Sequence, residues 1–124
     1  MIRLVGRKLI IPQGDTGTFT IPTQGTVSLG DKAIFSIYDE LTHKTVLEKL
    51  IDATIETLTF NFELEDTLNI EPDDRGNRYT WDITIVRNPT YDNENKLITA
   101  DDIDSYYAGF RLPPCVIKRV TRNV

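Results

Sequence analysis

The stretch Arg78-Tyr79-Thr80-Trp81-Asp82-Ile83-Thr84-Ile85 decides the fold of this chain. On an extended backbone successive side chains point to opposite faces, so Tyr79, Trp81, Ile83 and Ile85 share one side. Arg78, Thr80, Asp82 and Thr84 share the other. One apolar and one polar face at a period of two is the pattern of a half-buried strand. Residues 57–64 repeat it without a break: Leu58, Phe60, Phe62 and Leu64 alternate with Thr57, Thr59, Asn61 and Glu63. Trp81 and Phe60 are therefore expected at the centre of a core between two facing layers.

Working outward, the same alternation places Ala33, Phe35 and Ile37 on one face of residues 32–38. It places Phe19 and Ile21 on one face of 16–21, and Tyr106, Ala108, Phe110 and Leu112 on one face of 105–112. Residues 115–121 read as a final strand. Turn chemistry separates the runs: Gln13-Gly14-Asp15, Gly30-Asp31, and Asp73-Asp74-Arg75-Gly76-Asn77, whose Gly76 and Asn77 tolerate positive φ. Asn88-Pro89 and Asp92-Asn93-Glu94-Asn95 bound a longer excursion. Pro113-Pro114 interrupts pairing ahead of the last strand, since proline donates nothing to a ladder. Two segments read both ways. Thr45-Val46-Leu47-Glu48 has the form of a capping box, and a helix over 45–56 competes with a strand over 44–51. The β-branched Thr54-Ile55 pair favours the strand. A short helix also fits 99–104, capped by Thr99. Seven to nine short strands at this spacing make an all-β antiparallel sandwich, with room for one short helix.

At 124 residues the chain is one domain, residues 1–124. Surface scaling gives about 6,800 Å² folded against about 20,600 Å² unfolded, enough burial for a core without cross-links. The single cysteine, Cys115, forms no internal disulfide, so folding needs no oxidising compartment. Arg3, Arg7 and Lys8 precede only Leu9-Ile10-Ile11 before Pro12, too short a run for a signal or a membrane span. A cytosolic origin without membrane attachment is the expectation.

The net charge of −5 is unevenly spread. Residues 1–8 carry three bases and no acid; residues 111–124 carry Arg111, Lys118, Arg119 and Arg122 and no acid. The middle holds seven bases and nineteen acids, a net of −12, which would repel a phosphate backbone and argues against nucleic acid. The basic ends are either solvated charge beside strands or, if the first and last strands lie together, a patch facing an acidic partner.

Catalytic chemistry is hard to assemble from these residues. The only histidine, His43, sits in an expected turn, and one His with one Cys leaves zinc short of ligands. No serine lies in a nucleophile-elbow glycine pattern. Gly14-Asp15-Thr16-Gly17 lacks the lysine and the strand-to-helix context of a phosphate loop. The carboxylates over 63–74 and 92–104 suit calcium chemically but match no twelve-residue loop. Their alternative role is a solvated acidic edge. No enzyme, cofactor, metal or small-molecule ligand is expected. Among the aromatics, Tyr91 in a loop and Tyr107, of opposite parity to its neighbours, are the ones expected at a surface contact.

Three stretches carry a family resemblance: Gly14-Asp15-Thr16-Gly17-Thr18-Phe19; residues 30–39 followed by Thr45-Val46-Leu47-Glu48; and residues 68–72 leading to Tyr79-Thr80-Trp81-Asp82-Ile83. In this order they resemble the N-terminal immunoglobulin-like domain of phage baseplate upper proteins and small prophage proteins that share its pattern. The chain departs from it in the insertion at 73–77 and the excursion at 88–104. The resemblance implies an Ig-like sandwich and a virion part without catalytic activity, made in the host cytoplasm. It would act by docking on itself or on other tail, baseplate or head proteins. The residues expected to dock are Arg3, Arg7, Lys118 and Arg119 at the basic ends, with Tyr91, Asp92 and Tyr107. The competing expectation is a carbohydrate- or calcium-dependent ligand-binding sandwich.

Overall fold

A computed structural model describes residues 1–23, 27–53, 56–105 and 111–120. The protein is a mostly-β, two-layer sandwich. Its large sheet runs in the order β1 (Arg3–Val5), β2 (Lys8–Pro12), β11 (Pro114–Lys118), β7 (Tyr79–Arg87), β4 (Lys32–Asp39), β5 (Lys44–Asp52). A further strand, β10 (Asp102–Ser105), pairs with the upper part of β7, from Thr84 to Arg87. Facing this sheet is a pair, β3 (Thr18–Pro22) with β6 (Thr57–Asn61). A small hairpin, β8 (Thr90–Tyr91) with β9 (Leu97–Thr99), fills the expected excursion.

The alternation read from the sequence becomes the core. Tyr79, Trp81, Ile83 and Ile85 are buried, as are Leu58 and Phe60 opposite them and Ala33, Phe35 and Ile37 beside them. Phe19 stands edge-on to Trp81 at 5.5 Å, and Phe35 meets Phe60 and Phe62, each at 5.5 Å. Each such ring contributes about 1.5–3 kcal/mol by leaving water, with a further gain from the edge-to-face geometry.

The structure departs from the sequence reading in several places. The expected antiparallel sandwich contains one parallel pair: β2 runs alongside β11, with Leu9 opposite Cys115 and Pro12 opposite Lys118. The strand expected over 57–64 ends at Asn61, and a short helix, α1 (Leu64–Leu68), follows. The Asp66 carboxylate accepts the Glu63 N–H at 2.8 Å, and the Gln13 amide donates to the Leu68 and Ile70 carbonyls, each at 2.9 Å. Both ends of the helix are thereby supplied with partners that five residues cannot provide for themselves. The helix considered at 99–104 is absent: β9 ends at Thr99 and β10 begins at Asp102, because Asp102–Ser105 finds a free edge of β7. The 44–51 segment is a strand, as favoured, paired along β4. Tyr107, with Tyr106 and Phe110, lies outside the described residues.

The Pro113-Pro114 pair, expected to interrupt pairing ahead of the last strand, instead joins its start. Pro114 opens β11 opposite Thr80, and the Pro113 carbonyl accepts the Trp81 N–H at 3.1 Å.

Candidate functional site

The parallel β2–β11 pair decides where the basic ends go. Directly paired residues share a face, and Cys115 and Tyr79 are both inward. Pro114, Val116 and Lys118 therefore lie on the outer face, together with Lys8, Ile10 and Pro12 of β2 and Arg3 and Val5 of β1. Arg3, Lys8 and Lys118, from opposite ends of the sequence, share one outer face at one edge of the sheet. Arg119 follows at the end of β11, where its backbone N–H donates to Asp74 at 3.2 Å. Arg7 sits in the β1–β2 turn: its guanidinium donates to the Arg111 carbonyl at 3.2 Å, and its own carbonyl accepts the buried Trp81 indole N–H at 3.0 Å. The core tryptophan thus fastens the N-terminal hairpin to the sheet.

The second nominated group, Tyr91 and Asp92, is at the far end of the molecule. Its root is a buried carboxylate. Asp31 accepts the Asn88 N–H at 3.0 Å and the Ser28 N–H at 2.8 Å, with Arg87 Nη1 at 3.5 Å. Arg87 in turn donates from Nε to Asp104 at 3.1 Å. From this root the β8–β9 hairpin folds back over the outer face of the large sheet. Asp92 builds its turn: Oδ1 accepts the N–H groups of Glu94 and Lys96, both at 2.8 Å. That engages one of its carboxylate oxygens locally and makes a turn-forming role its first one. Tyr91 is half-buried and lines a hollow of about 270 Å³ with Ile34, Leu50, Val86 and Leu97, bordered by Glu48. The structure does not bring Tyr91 and Asp92 to the basic edge; they form a separate surface.

The floor of the hollow breaks the alternation of its strands. Ile34 stands among Lys32, Ser36 and Tyr38 on the polar side of β4, Leu50 is its direct partner on β5, and Val86 ends the polar side of β7. Apolar residues on a face that should be polar are the signal for such a surface.

A third node lies at the lower end of the sandwich. The buried Asp39 carboxylate receives Arg78 Nε at 3.1 Å and Nη2 at 3.0 Å, the Thr42 hydroxyl at 2.9 Å and the Leu41 N–H at 3.0 Å. The Arg78 hydrogen bonds hold its carboxyl down at about 2. Arg78 also donates to Glu71 at 3.0 Å. The Tyr79 hydroxyl donates to the Glu71 carbonyl at 2.6 Å, and burial pushes its phenol above the usual range. With its buried donors and acceptors matched, this node fastens loops. Cys115 is buried, and desolvation drives its thiol far from ionisation, opposite to a nucleophile's needs. His43 is exposed in the β4–β5 turn with φ of 58°. Among the described residues no group of three or more His, Cys, Asp or Glu is placed to hold a metal ion. No helix among them is long and apolar enough to cross a membrane.

No family model, no curated protein and no solved structure matches the chain.

Proposed function

We propose that the protein is an immunoglobulin-like, non-catalytic assembly module of a phage or prophage particle, docking on itself or on other virion proteins. The virion part of this reading comes from the sequence resemblance. Its immunoglobulin-like part is supported by two features of the fold. A strand near the start pairs in parallel with the last strand, and the tyrosine opening β7 ties its hydroxyl to a backbone carbonyl eight residues earlier, in the manner of a tyrosine corner.

The observation that carries the docking role is the gathering of Arg3, Lys8 and Lys118 on one outer face, with Arg119 beside them. In a chain of net charge −5, cations from both termini gathered at one edge are suited to steering an acidic protein partner. Reversing Lys118 and Arg119 to glutamate should abolish recovery of virion proteins with the tagged protein from particle-producing cells, while its fold stays intact. Unchanged recovery would contradict the proposal.

A further inference from the structure

The outer face of the large sheet carries two unlike apolar features at opposite edges. Near the β5 edge is the hollow between the β8–β9 hairpin and the sheet, floored by Ile34 and Val86 and walled by Leu50, Tyr91 and Leu97. Leu50 is 52% exposed and Leu97 42%. At the opposite edge the β1–β2 hairpin projects Val5, 55% exposed, on the same outer face. The charges beside the two differ in sign. Arg3 precedes Leu4, and Lys8 stands opposite Val5, whereas Glu48 borders the hollow. Among the described residues, none of these three charges forms an ion pair.

We infer that a second copy of this chain covers the hollow, its β1–β2 hairpin seating Val5 against Leu50 and Leu97 and setting Lys8 near Glu48. The inference rests on the assembly reading above and names one of its partners. Projection and hollow both lie on the outer face, so turning one copy over about a two-fold axis in the plane of that face exchanges them. Each hairpin then reaches the other copy's hollow, and the same contact is made twice. Such self-complementarity is what a closed two-fold interface requires. The sheet offers most of the area needed. Its six strands, three to nine residues long at about 4.8 Å spacing, present on the order of 600 Å². That approaches the roughly 800 Å² per partner of an ordinary stable interface. The β5 edge itself is not the docking element: Lys49 points inward there, held by Asp66 at 2.6 Å, a device that discourages edge-to-edge pairing.

Sedimentation velocity across micromolar to millimolar protein tests this. The wild type should pass from monomer to dimer. Val5→Glu and Leu50→Glu should each raise the dimer dissociation constant at least about tenfold, because each buries a charge at both copies of the contact. Should either variant unfold by circular dichroism, Lys8→Glu and Glu48→Lys replace them. Each alone should weaken the dimer, and the two together in one chain should recover it. A wild type that stays monomeric, or species heavier than a dimer, would overturn the inference. A monomer that still enters particles would remove this contact alone, and a dimer absent from particles would remove the virion role alone.

Discussion

Replacing Tyr79 by phenylalanine deletes one oxygen atom from the segment that carries the chain from the small sheet to the large one. The ring stays: Tyr79 is 2% exposed, and Arg78 lies over its face at 5.2 Å, a contact phenylalanine keeps. What goes is the hydrogen bond from the hydroxyl to the Glu71 carbonyl at 2.6 Å. Glu71 is exposed, so water can reach part of its vacated carbonyl, which places the loss at about 1–2 kcal/mol. With an unfolding entropy of about 2 cal/mol/K per residue, that lowers the melting temperature by about 4–8 °C. Guanidinium unfolding followed by Trp81 fluorescence should show a lower midpoint with an unchanged slope, as expected when the native state alone is weakened. The phenol adds a test with a definite sign. Its folded pKa is raised, so its contribution is full below about pH 10 and fades as pH rises through the folded value. The variant should lack that alkaline decline. A melting temperature within about 1 °C of wild type would refute the idea that this hydroxyl fastens the corner.

Asp39 titrates the other way. Its carboxyl is held at about 2, below its unfolded value, so the Arg78 pairing contributes fully above about pH 4 and is lost as pH falls towards 2. Acid unfolding of Asp39→Asn should lack this slope, worth on the order of 1–2 kcal/mol after allowing for nearby solvent. Gly76→Ala should cost about 1–3 kcal/mol in denaturant unfolding, because Gly76 has φ of +74° and a methyl there would sit 2.9 Å from Val116 Cγ2. Gly30→Ala, at φ of +95° with open space around it, should cost only about 1 kcal/mol of backbone strain. Lys49→Met removes the inward charge on the β5 edge and should raise light scattering on concentration while the monomer keeps its circular-dichroism spectrum.

The strands that build the core were legible because each is long enough to show its period: β4, β6 and β7 place every inward residue where alternation puts it. β5 was ambiguous for a physical reason. Leu47, Leu50 and Ile51 have helical spacing, yet the structure splits them, with Leu47 and Ile51 packed against the core and Leu50 on the outer face; pairing with β4 overrides local preference. β2, as long as β6, shows no period of two. Its Leu9-Ile10-Ile11 run is apolar on both faces: Leu9 and Ile11 enter the core, and Ile10 is half-buried on the outer face. α1 hides at the end of an alternating run, and its sign was the Glu63-to-Asp66 spacing. Of the surface, the pairing of the chain's two ends could be suspected from charge. The hollow could not, because it needs the β8–β9 hairpin to fold back over the sheet, and the root that bends it is Asp31, far away in sequence.

Quantitative mass spectrometry of particles purified from cells encoding this chain tests the central claim most directly. The account predicts a fixed copy number per particle for the wild type and its loss when Lys118 and Arg119 are reversed to glutamate. Particles complete without the wild-type protein, while the cell lysate contains it in abundance, would contradict that claim.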